Sequence, residues 1–277
     1  MRKLAIGTAL SGALALGALA APAAQAATPN LTFSDVKVNN GKTIVAGTTA
    51  KVKVPVTYSL TRGSDVVIDY TTHFAGVALY RGTLGDPGNL IEPDTAPACT
   101  TTATTDTTVT QSCTATLVID PSDSLFEAAD ATTWKAAGFY SHVDQDDDDS
   151  DGHISFDFGY DLWTTTGTAK IQRAAKLTTD ASPEPVKKGK TLTVKGKLTR
   201  ANWDTGTYTG YKGQKVALQF RAKGSSTYTN VKGITSGTGG ALTTTVKAAR
   251  SGYFRFVFTG TSTTGAATAA GDYVAVQ

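Results

Sequence analysis

Six aspartates, Asp144, Asp146, Asp147, Asp148, Asp149 and Asp151, crowd into one short run closed by Gly152. Carboxylates this close repel one another unless a cation or solvent relieves them. Asp147, Asp149, Asp151 and Gly152 match D-x-D-x-D-G, the pattern with which a calcium loop begins. The odd spacing turns three carboxylates towards one centre, and the glycine permits the sharp turn. His153 would offer its backbone carbonyl, and Ser155 the next ligand or its water. The closing bidentate glutamate is missing, because Phe158 stands there; Asp157 is the nearest substitute. Ile154, Phe156 and Phe158 alternate as a strand does, so no helix flanks the loop. The competing reading is an acidic, solvated hairpin tip that keeps a sheet edge from pairing with other chains.

A second set of residues suits ligand stacking. ANWDTGTYTGYKG (201–213) places Trp203, Tyr208 and Tyr211 among glycines and threonines, with Asn202 and Asp204 able to meet hydroxyls. Such rings either stack on sugar faces or fold inward and plug the end of a core with their polar tips in water. A third set is cationic: Lys187, Lys188, Lys190, Lys195, Lys197, Lys212 and Lys215. Outward lysines discourage edge-to-edge pairing; the sharper reading is attraction to an extracellular polyanion. A nucleic-acid partner calls for basic patches interleaved with aromatics, and no such motif is visible.

Catalytic spacing is lacking. The chain has no H-E-x-x-H, G-x-S-x-G, Walker loop or dinucleotide fingerprint. Its histidines are His73, His142 and His153, the last two flanking the acidic run. A hydrolase would need a pocket bringing His73 or His142 beside a serine and an aspartate. The carboxylates follow one another along one loop, whereas glycosidases set them across a cleft. The expectation is a non-enzyme with no required cofactor and calcium as the one candidate.

The elements that must position these residues are strands. Thr, Gly and Val are abundant, and short alternating runs are broken by turn residues. LTFSDVKV (31–38), KVKVPVTYSL (51–60), DVVIDY (65–70) and GVALYRG (76–82) read as strands, followed by an irregular proline-rich loop from Leu84 to Pro97. Cys99 and Cys113 are the only cysteines. The Thr-rich stretch between them turns at its midpoint, Asp106, and so sets them opposite each other for a disulfide. PSDSLFEAADATTW (121–134) reads as a short helix capped by Ser122, with Leu125, Phe126 and Ala129 as its apolar face. Arg2, Lys3, an apolar run and Ala24-Gln25-Ala26 form an export signal over 1–26, with Ala27 as the first mature residue. No apolar tail follows, so the expected product is secreted, extracellular and without a membrane anchor.

Charge divides the remainder. Residues 27–174 carry 9 Lys/Arg against 19 Asp/Glu, and residues 175–277 carry 15 against 4. RAAKLTTDASPEPVKKG (173–189), with Pro183 and Pro185 around Glu184, reads as the seam. The basic half offers seven strand candidates, from KLTTDA to DYVAVQ. VKKGKTLTVKGKL, GQKVALQFRAKGSSTY and GALTTTVKAARSGYFRFVFTG resemble the immunoglobulin-like repeats of secreted actinomycete proteins. That resemblance implies a small sandwich and carries no catalytic residues. The expectation is therefore all-β: two tandem immunoglobulin-like β-sandwiches, 27–174 and 175–277, acting as an extracellular binding or structural module. Cell-wall polymer, another polyanion or a glycan is the expected partner.

Overall fold

The computed structural model describes residues 29–86, 89–146 and 155–277, with backbone alone for 144–146 and 155–157. The expected export signal and the core of the acidic run lie outside the described residues. The regular elements among the described residues are strands and short 3-10 turns, with no α-helix.

The first sandwich packs a four-stranded sheet on a five-stranded one. One sheet joins β1 (Leu31–Val38), β3 (Val52–Gly63), β7 (Thr108–Ile119) and β6 (Ala98–Thr104), in that order. The other runs β2 (Ile44–Ala46), β9 (Ser155–Arg173), β8 (Thr133–Asp146), β4 (His73–Tyr80) and β5 (Leu90–Ile91). Alternation fills the space between them. Val54, Val56, Tyr58 and Leu60 of β3 point inward against Val77, Trp134 and Ile171, all buried. Phe33 lies where a side chain at Gly138 would stand, so that glycine lets the two sheets close.

The second sandwich has its own core. One sheet centres on β12 (Thr191–Asn202), which pairs β10 (Ala175–Leu177), β11 (Asp180–Ser182), β13 (Thr207–Gly210) and β16 (Ala241–Lys247). The other places β15 (Thr229–Thr235), β14 (Lys215–Ala222) and β17 (Gly252–Phe258) side by side, with β18 (Ala267–Thr268) and β19 (Asp272–Val274) on the far edge of β17. Phe254, Phe256 and Phe258 alternate inward from β17 onto Leu192, Val194 and Leu198.

Three local expectations are corrected. DVVIDY is not a strand: the Asp69 carboxylate accepts the amides of Thr71, Thr72 and His73 and curls the chain into a turn. Those bonds hold Asp69 well below the usual carboxylate range. The stretch 121–134 is not a helix beyond one 3-10 turn, Ala128–Asp130. Ser122 caps nothing there, because its amide and hydroxyl both donate to Asp120; Leu125 is buried while Phe126 is exposed. Buried Asp130 organises this segment, accepting from the amides of Phe126 and Glu127 and from Arg81 Nε at 2.8 Å. Finally, the proline pair is not the joint. Ala181 and Val186 on either side of it are buried in the second core, and Val186 exchanges backbone bonds with Ala275 and Gln277. The chain crosses between sandwiches earlier, at Ala174, whose amide donates to Ala46 and whose carbonyl accepts from Ala201.

Candidate functional site

The register of the five-stranded sheet builds a cleft on its outer face. Phe74 of β4 stands beside Ser141 of β8, which pairs Tyr160 of β9; Val143 pairs Phe158. Residues two apart share a face, so Phe139, Ser141, Phe158, Tyr160 and Phe74 all lie on the side away from the sandwich core. Phe139 spreads over the bare Cα of Gly76, where Pro93 closes in as well. The loop after β4 then folds back across the sheet and covers part of this face. What remains open is a cavity of about 270 Å³, with aromatic rings along the sheet and Glu92 to Pro97 as the opposite wall.

The rings are arranged and half-presented. Phe139 and Tyr160 are near parallel, 16° apart with centroids at 6.2 Å. Phe158 beside them is 66% exposed, Phe74 38% and Tyr160 37%. Tyr70 closes one end, edge-on to Phe74, and its hydroxyl approaches Cys99 Sγ at 3.7 Å. Cys99 and Cys113 face each other across β6 and β7 and are bridged, with Cα atoms 4.1 Å apart. The disulfide hairpin thus backs the cleft through Tyr70. On the loop side, the Tyr160 hydroxyl donates to Glu92 at 2.6 Å. Burial and that carboxylate push the Tyr160 phenol far above its usual range, so it stays a donor. Arg81 anchors the loop by binding Asp130, Glu127 and Asn89. Behind Glu92 and Asp94 a second, more polar hollow of about 430 Å³ adds Asp120, Asp123 and Lys51 to the same wall.

This arrangement can hold a ring-bearing or flat apolar ligand and accept hydrogen bonds at its rim. Among the described residues the lining contains no histidine, cysteine or basic residue. Glu92 and Asp94 sit two apart on one loop, unlike the opposed pair that glycoside hydrolysis uses. Ser141 lines the cleft, but His142 follows it on the strand and so belongs to the other face, where it stacks on His73 at 5.9 Å.

The residues singled out in the sequence lie elsewhere. Asp147, Asp149 and Asp151 are outside the described residues. Ser155 and Asp157 are on β9, opposite Asp146 and Asp144. Among the described residues no group of three His, Cys, Asp or Glu could hold a metal. Trp203 is buried at 6% exposure and packs with the core of the first sandwich, its Nε1 donating to the Gly47 carbonyl at 2.8 Å. Tyr208 packs against that core with Lys176 over its ring at 3.8 Å. Tyr211 packs against the second core, edge-on to Phe258, and Arg200 covers it at 4.1 Å. These three rings therefore pack on the two cores, Trp203 and Tyr208 on the first and Tyr211 on the second. The lysine set is exposed, spread over the turns and outer face around β12 and β14.

The aromatic cleft itself was not found in the sequence. The one available signal was Phe156-x-Phe158-x-Tyr160 alternating with Asp157, Gly159 and Asp161. It reads as core-in and polar-out, but the register turns Phe158 and Tyr160 outward.

The fold is all-β, two sandwiches each with its own core. No family model and no curated protein matches the chain. Among solved structures it is similar to three consecutive domains of titin, at 11% identity over 85% of this chain and 62% of that one, TM-score 0.24. It is also similar to the ectodomain of mouse nectin-like molecule 4, at 12% identity over 90% and 65%, TM-score 0.23. A third is the fibronectin(III)-like modules of Clostridium thermocellum CbhA, at 13% identity over 89% and 92%, TM-score 0.24. The chain spans just under two thirds of the titin and nectin-like chains.

Proposed function

We propose that this is a secreted, non-enzymatic binding protein whose aromatic cleft holds a glycan chain. The observation that carries it is the near-parallel Phe139–Tyr160 pair beside exposed Phe158, facing Glu92 and Asp94 across an open trough. A pyranose face supplies C–H groups for such rings, and carboxylates accept from its hydroxyls. Sandwich domains of this class commonly act as binding or structural modules, and the chemistry resides in sites grafted on them. Cell-wall polysaccharide of the producing cell is the natural candidate. Binding supported by calcium at Asp147, Asp149 and Asp151 is the second proposal; it rests on the spacing of those residues beyond the ends of β8 and β9.

The test is retention of the secreted protein on washed, insoluble peptidoglycan, chitin and cellulose. Wild type should be retained on at least one. Phe158→Ala and Phe74→Ala should each lose about 1 kcal/mol of binding, a several-fold drop, with unchanged melting. Retention on none of the polymers, or wild-type retention of both variants, overturns the reading.

A further inference from the structure

We propose that the outer face of the second sandwich carries a separate site for a carboxylated glycan, built on Arg221 and Arg255. These residues alternate with the inward phenylalanines of their strands, so they point away from the core. Their guanidinium carbons lie 5.2 and 3.7 Å from the centre of one ring, Tyr228, which the loop between β14 and β15 brings over the sheet. Arg221 also lies 4.1 Å from the Tyr253 ring, which in turn packs on Tyr273 with centroids 5.1 Å apart.

Two like charges on one tyrosine repel, and a partner is lacking. Neither arginine has a carboxylate among the described residues. This half has only four acidic residues. The one on the adjoining strand, Asp272, accepts instead from the Ala181 amide at 2.7 Å.

The forks are nevertheless fixed in place. Arg255 Nε donates to Gln219 Oε1 at 2.9 Å, and Gln219 in turn donates to Asn230 at 3.0 Å. Arg221 Nη1 donates to the Ser225 carbonyl at 2.6 Å. With rings against the guanidiniums and one donor of each held by Gln219 or Ser225, the remaining N–H donors are left for an oxyanion, which Arg engages in bidentate fashion. Gln219 and Asn230 lie alongside for hydroxyls.

The choice of a carboxylated glycan over a nucleic acid follows from the rings. A base needs an open aromatic face to stack on. Tyr228 has two guanidiniums against it, and Tyr253 has Arg221 and Tyr273. What is on offer is therefore planar N–H donors and amides, not stacking platforms. Of the lysines considered in the sequence, Lys215 stands at the opposite end of β14 from Arg221 and the others lie off this strand, so this site is distinct from them and from the cleft.

The test is calorimetric titration of the whole secreted protein at physiological salt. The probes are a defined oligogalacturonate, an oligothymidylate of equal charge and a neutral chito-oligosaccharide. The uronate should bind at least about tenfold more tightly than the oligothymidylate. Arg255→Lys, which keeps charge and loses the fork, should weaken uronate binding about tenfold. Arg221→Gln with Arg255→Gln should abolish it. Lys187→Gln with Lys188→Gln should leave it unchanged. On unsubstituted protein, uronate should shift the backbone amide resonances of residues 219–230 and 253–255, a readout independent of whether any variant folds. Absent uronate binding, shifts elsewhere, wild-type affinity in Arg255→Lys, or equal binding of oligothymidylate overturns the proposal. Cleft-variant effects on neutral polymer test the other site alone, so the two can fail separately.

Discussion

The indole nitrogen of Trp203, on the second sandwich, donates to the backbone carbonyl of Gly47 on the first at 2.8 Å. Around it, Arg173 is buried with its guanidinium 6.0 Å from the Trp203 ring, and its amide and carbonyl meet Thr263 and Gly265. Gln172 donates to Thr261 at 2.7 Å. The two sandwiches are therefore docked through side chains and backbone together. Burial and the neighbouring Arg200 push Arg173 below its usual value, yet an arginine stays charged at any pH of interest.

Removing that indole should unlock the joint. Trp203→Ala deletes a buried aromatic, which costs about 3–5 kcal/mol. Calorimetry should show one unfolding transition splitting into two, and proteolysis should open near Ala174. A single transition at the wild-type temperature would show that the indole does not couple the domains.

The ion pair beneath the cleft loop should be equally sensitive. Arg81→Ala strands the buried Asp130 carboxylate, and breaking a buried pair costs about 3–5 kcal/mol. Denaturant melting should register that loss, and retention on polymer should fall with it, since Arg81 holds the loop that forms the cleft wall. Arg81→Lys should recover only part of the stability, because one ammonium cannot reach Asp130, Glu127 and Asn89 as the fork does.

Reduction of the disulfide should weaken the first domain by about 2–4 kcal/mol. Cys99→Ala with Cys113→Ala mimics this without reductant, and the midpoint of urea unfolding reads it. Because Tyr70 rests on Cys99, the same variant should also lower retention on polymer.

A pH effect resides in Glu184. Burial, together with Asp272 and Asp180, raises its carboxyl above the ordinary range. The folded chain thus holds that proton more tightly than the unfolded one, so protonation stabilises the fold. This stability is complete below the ordinary carboxylate pKa and is lost as pH rises through the raised value. Glu184→Gln should therefore raise Tm at pH 7 relative to wild type, and the difference should disappear in acid. A difference that persists or grows in acid contradicts the assignment.

Calcium is tested at the acidic run. Millimolar calcium should raise Tm by binding only the folded state, with a weak site in the roughly 10⁻⁴–10⁻³ M range of extracellular modules. Asp149→Asn should remove the effect, whereas Asp144→Asn, outside the motif, should retain it. Equal responses from the two variants would mark a diffuse acidic tip.

Alternation and turn residues were enough to read β1 residue for residue, the disulfide hairpin, β12 and the strands from β14 to β17, because those features depend on local period and spacing; β13 lies in a stretch read as a loop. Where a polar side chain captured the backbone, as Asp69 and Asp130 do, the local period misled, and a strand and a helix were expected in place of turns. Function was less legible for a geometric reason. Phe74, Phe139 and Phe158 come from separate strands, and only strand pairing puts them on one outer face. Arg221, Tyr228 and Arg255 likewise meet only through the sheet. Trp203 shows the converse. Its loop composition allowed a ring stacked on sugars or one folded inward onto a core, but not that the core would be that of the neighbouring sandwich. Which surface a domain covers is a property of the assembled fold, and no period in the sequence encodes it.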